Sequence, residues 1–143
     1  MRFFHSMRRA RKNLPPETSK KMDAGLLMLR AGLGLSMLAL HGLPHFQQFC
    51  REDTGLAALF GVSGRVILLL TFMAEIGGSL LLILGWFTRT AALVLATVMA
   101  IAFGVIHGAS FEGEQSGELA FLYLIGTLVL ALTGPGRYAC DSR

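Results

Sequence analysis

Charge is scarce in this sequence. Asp, Glu, Lys and Arg make up 15% of its 143 residues, where a soluble domain carries about a quarter. That leaves too little polar surface to cover a water-soluble core, so most of the chain is expected in lipid, as one domain. Cysteine is sparse too. Cys50 and Cys140 have no metal-ligand spacing, and on the topology argued below they lie on opposite sides of the membrane, which excludes a disulfide framework within one chain. There is no Cys-x-x-Cys, no pair of mid-helix histidines suited to haem and no nucleotide motif. Redox chemistry would therefore need a borrowed cofactor or partner. There is no long soluble domain either, so whatever the protein does happens in or at the membrane.

What is present is apolar. Hydrophobic residues make up 53% of the chain, and they fall into four runs. Residues 24–43 form a first run with one charge, Arg30. At 1.5 Å per residue its twenty residues cross a hydrocarbon core of about 30 Å. It is too long for a typical signal peptide, and no clear cleavage site follows, so it is expected to be retained. Residues 66–84 form a second span containing Glu75. A tight turn with Trp86 at interface depth follows. Residues 91–107 form a third span, and residues 119–133 a shorter fourth, stopped by Gly134, Pro135 and Gly136. The expected fold is an all-α bundle of four transmembrane helices over residues 23–143, preceded by a mobile basic tail, 1–22. Between the first two spans, Arg51 to Asp53 reads as a loop. The short stretch from Leu56 to Phe60 is expected at the interface.

Orientation follows from the basic residues. Seven of the thirteen Lys and Arg lie in the first 21 residues. Such a cluster also suits a nucleic acid, but beside a first span it holds that end in the cytoplasm, with anionic lipid adding attraction. Arg89, Arg137 and Arg143 mark the same side. The 108–117 loop has no basic residue and is acidic. Both termini are thus expected inside, and no nucleic-acid partner is expected.

Two polar sets interrupt the apolar runs. Arg30 and Glu75 lie inside the first two spans, where a lipid-facing charge costs roughly 2.5 kcal/mol or more. Both should face the bundle interior, about one turn apart in depth if these helices are antiparallel neighbours. An Arg30–Glu75 salt bridge is then expected, with Arg89 as a second partner for Glu75. Two readings stay open: a pair that fixes packing, or a proton, quinone or substrate site. The second set is His41, His107 and Glu118 at the outer interface, with His45 just beyond. Two imidazoles and a carboxylate suit several metals, a quinone head group or a proton relay. The plainer reading, histidines meeting water and headgroups, is preferred to a metal site. Arg30, Gly34, Met37 and His41 share one helix face, as do Thr71, Glu75, Gly78 and Ser79, and Thr97, Ala100, Gly104 and His107. Small residues on such faces let helices approach.

These residues carry a resemblance. Arg-x-Gly-x-Gly with a trailing His-Gly (Arg30, Gly32, Gly34, His41, Gly42) is followed by Glu75 to Gly78, Leu84 to Arg89, His107, Glu118 and the ending Leu132 to Tyr138. Together they resemble the DoxX family of small bacterial membrane proteins, over about residues 24–141. The resemblance implies a four-helix protein of the bacterial inner membrane, linked to quinone-reactive oxidoreductases and to oxidative stress. Where relatives often carry Lys after His-Gly, this chain has His45. Three functions are in play: a redox-associated accessory subunit that meets quinone, a small proton-coupled transporter, or a membrane anchor recruiting a soluble redox enzyme. No internal repeat relates 24–84 to 91–133, although many transporters are built from one.

Overall fold

The computed structural model describes residues 15–51, 62–112 and 116–142. Four helices run through them: α1 (Pro16–Cys50), α2 (Gly64–Leu84), α3 (Thr88–Ile106) and α4 (Glu118–Thr133). The first three are long and apolar enough to cross a membrane; α4 is apolar but shorter. The stretch from Leu56 to Phe60 lies outside the described residues. The helices pack as a ring, α1 on α2, α2 on α3, α3 on α4 and α4 back on α1.

The second to fourth spans match their apolar runs to within a few residues, because Gly and Ser bound those runs. The first is longer at both ends. Pro16 opens α1 where its missing N–H costs nothing, so residues 16–22 are helical rather than part of a tail. At the far end the helix continues through Pro44 to Cys50, past the expected end of the span at residue 43. A π-helical segment, Leu38–Gly42, accounts for this. Proline in a helix interior lacks its N–H and crowds the carbonyl four residues back. The wider π turn, closed by Leu43 N–H on the Leu38 carbonyl, relieves that crowding just before Pro44. At about 52 Å, a 35-residue helix outreaches the hydrocarbon layer.

Small residues bring the helices together. A methyl at Gly34 would come within 2.7 Å of Ile83 and 3.0 Å of the Ser79 carbonyl. At Gly78 it would meet Leu95 at 2.8 Å, and at Gly126 Leu33 at 2.8 Å. Lipid tails are as apolar as leucine, so close van der Waals contact is what drives such packing. The core holds Met37, Leu82, Leu95, Met99 and Leu130, all buried. Leu70, Met73, Leu93, Leu122 and Leu132 are exposed on the outer faces, as suits side chains against lipid.

The α3 face reads differently from expectation. Thr97, Ala100 and Gly104 are exposed, while Ala92, Leu95, Ala96 and Met99 face inward. A second π segment, Ala102–Ile106, separates them from His107. One extra residue in a turn rotates everything after it by about 100°. His107 is therefore off the stripe that strict helical spacing assigns it to.

Candidate functional site

The register of α1 on α2 decides where the charges go. Gly42 of α1 packs on Ile76, Gly34 on Ser79 and Ile83, and Gly85 on the Arg30 guanidinium. Arg30 is thus level with the end of α2. Glu75 lies ten residues earlier in the same helix, about 15 Å along its axis. The expected Arg30–Glu75 pair is not formed. The offset is ten residues rather than one turn because the close approaches of Gly34 and Gly42 to α2 fix that register, which puts Arg30 level with Gly85.

Arg30 is held instead by the chain beyond α4. Its guanidinium donates to the Pro135 carbonyl at 3.1 Å and the Tyr138 carbonyl at 2.6 Å; its Nε is buried without a partner. The segment 134–142 forms a strap over this end. Asp23 of α1 accepts from the Arg137 N–H at 2.8 Å. Asp141 accepts from the Phe87 N–H at 3.0 Å and the Thr88 N–H at 2.9 Å, capping α3. Its own N–H donates to the Gly85 carbonyl at 3.0 Å. Gly134 and Gly136 have φ of 83° and 79°, which glycine adopts without the clash a side chain brings. Arg89 lies at the same end, against Gly134, and not beside Glu75.

Glu75 is 1% exposed. Its Oε2 lies 2.7 Å from Nδ1 of His45. His41, one turn earlier, has its ring 6.3 Å from that of His45 and stands edge-on to the Tyr123 ring at 5.3 Å. Its Nε2 is buried with no hydrogen-bond partner. Tyr123 is itself buried in α4. His107 lies within electrostatic reach of His41 and packs against Gly117. Glu118 is exposed at the start of α4. Among the described residues no set of three or more His, Cys, Asp and Glu side chains is arranged to hold a metal ion.

The geometry therefore regroups the expected residues. Glu75 leaves the first set and joins His41 of the second, through His45. Arg30 and Arg89 belong to the opposite end with the strap. Sequence reasoning set His45 outside the span and missed Tyr123. The i, i+4 spacing of His41 and His45 was the available signal, hidden because a helix is not expected to continue through Pro44.

A family model described as DoxX matches residues 25–108. The chain belongs to the DoxX family. The matched DoxX region contains Arg30, His41, His45, Glu75, Arg89 and His107, and stops before Tyr123 and the strap. An uncharacterized protein of Haemophilus influenzae is 39% identical over 112 residues, covering 75% of this chain and 81% of that protein. The inner membrane protein YqjF of Escherichia coli is 38% identical over 85 residues, 57% of this chain and 63% of YqjF. No solved structure matches the chain.

Proposed function

We propose that this DoxX protein is a multi-pass inner-membrane protein with both termini in the cytoplasm. We further propose that it serves as a quinone-linked, redox-associated accessory subunit. The head group would lie against His41, His45 and Glu75. The observation that carries this reading is His41 Nε2, buried and unpartnered beside a buried carboxylate bonded to an imidazole. A buried polar atom without a partner costs about 1–3 kcal/mol. A quinone oxygen would satisfy it, and the Glu75–His45 pair would supply or take up the proton that quinone reduction and quinol oxidation exchange. Inner-membrane location rests on the likeness to YqjF. Orientation rests on the basic residues that gather at the strap end, Arg30, Arg89 and Arg137 with Lys20 and Lys21 upstream.

The test is extraction and mass analysis of whatever accompanies the gently purified protein. Near-stoichiometric quinone, lost on Glu75→Gln or His41→Leu, is the expected result. Protein free of quinone from quinone-replete membranes would remove the reading. Proton-coupled transport is the second reading, favoured by the same buried carboxyl–imidazole pair. It predicts substrate-linked proton movement in sealed vesicles that Glu75→Gln abolishes.

A further inference from the structure

Among the described residues Glu75 has a polar partner on one side, His45. Its carboxylate is bonded to His45 Nδ1, and the His45 side chain is 29% exposed. The imidazole thus joins a carboxyl buried in the bundle to the bundle surface, five residues before the Cys50 end of α1. Toward the opposite end the buried polar side chains of the described residues, Ser79, Thr127, Thr88 and Arg30, form no hydrogen-bonded chain to Glu75. Ser79, one turn along α2, has a buried hydroxyl with no partner. Thr127 returns its hydroxyl to its own helix, on the Tyr123 carbonyl at 2.8 Å. Beyond them Met37, Leu82, Leu95 and Leu130 are each 1% exposed or less, and Arg30 is tied to the strap. Among the described residues, the other titratable groups at the Glu75 end are His41 of α1, His107 of α3 and Tyr123 of α4, with Cys50, Arg51, Arg65, Glu112 and Glu118 exposed at the same end.

We propose that His45 is a proton relay that opens Glu75 to the aqueous phase at the Cys50 end of the bundle and not to the Arg30 end. A neutral imidazole takes a proton on Nε2 and passes the one on Nδ1 to the Glu75 carboxylate. One proton enters, one moves on, and the ring is left neutral in its other tautomer. The return step runs in reverse. The relay goes beyond the quinone reading and does not depend on it, since it serves a bound head group or a transported proton alike. His45 is a positioning and relay residue here; Glu75 is the group that holds the proton.

The experiment uses the full chain in sealed vesicles. Populations are sorted by which native cysteine, Cys50 or Cys140, a membrane-impermeant maleimide reaches. The infrared carbonyl band of protonated Glu75, identified by its loss in Glu75→Gln, is followed after a pH step on one side. The band is expected to follow pH on the Cys50 side. His45→Gln keeps an amide donor for Glu75 but cannot pass a proton, and should slow the response at least tenfold. His45→Ala should be slowed likewise and recover when imidazole is added, which a structural role would not produce. A band that follows pH on the Arg30 side overturns the proposal. So does an unchanged rate in His45→Gln, a failure of imidazole to restore His45→Ala, or the lack of any protonated Glu75 band across the accessible pH range. None of these outcomes depends on whether quinone is bound, so the two readings fail separately.

Discussion

Removing His45 should destabilise the bundle more than removing Glu75, although the two share one hydrogen bond. The asymmetry comes from burial. Glu75 is 1% exposed and His45 is 29% exposed. In His45→Leu the carboxylate keeps its buried place and loses its partner. Breaking a buried pair this way costs about 3–5 kcal/mol, an upper bound here because the carboxyl can escape part of it by taking up a proton. In Glu75→Leu the imidazole is left at the edge of the bundle, where water or headgroups satisfy it. The cost is then nearer the about 1 kcal/mol of an ordinary lost hydrogen bond. The double variant removes both polar groups and should lie close to wild type or above it, as apolar replacement of buried pairs often does. The coupling energy is then at most about 4–6 kcal/mol. Reversible unfolding of the four proteins in mixed micelles, near neutral pH, measures it. If Glu75→Leu proves the more damaging single change, or if the double variant loses the sum of the two, the reasoning from burial is wrong. A stable double variant would mean the pair is kept for what it does and not for the stability it provides.

Other consequences are open to the same kind of measurement. Asp141→Ala removes the acceptor from the Phe87 and Thr88 N–H groups and should cost about 1 kcal/mol in unfolding experiments, in the range of a lost helix cap. Arg30→Met orphans the Pro135 and Tyr138 carbonyls and should cost about 2–3 kcal/mol; proteolysis within 134–142 of native protein should become faster, and an unchanged cleavage rate would mean the strap does not depend on Arg30. Gly34→Ala forces a methyl against Ile83 and the Ser79 carbonyl and should cost about 1–3 kcal/mol, whereas Gly32→Ala meets nothing within 4 Å and should be neutral or slightly stabilising. In intact cells an impermeant maleimide should label the exposed Cys50 and not the exposed Cys140; the reverse pattern would invert the proposed orientation.

The family resemblance and the four helices were legible because both reside in local sequence. Each apolar run has a length the bilayer sets, and the Gly and Ser residues between the later runs end helices locally, whereas Pro44 does not end α1. The inward faces of α1 and α2 were legible as well, since Arg30, Gly34 and Met37, and Glu75, Gly78 and Ser79, follow unbroken helical spacing and are all buried. The inward face of α3 was not. One extra residue in the Ala102–Ile106 turn changes which side His107 belongs to, and no residue type announces a π turn.

Pairing across the bundle was the other part the sequence left undetermined. Composition requires only that charges inside lipid find partners. Which partners they find depends on how far one helix slides along another, and a shift of ten residues moves a side chain about 15 Å. Arg30 meets carbonyls of the strap more than a hundred residues away in the chain, and backbone carbonyls cannot be recognised as partners from sequence, because every residue has one. Glu75 meets His45 because the π turn carries α1 through Pro44. The sequence by itself determined that buried charges must be satisfied. The tertiary structure decided the register, and with it the separation of a cationic, strapped end from an end where a carboxylate, two imidazoles and a tyrosine gather.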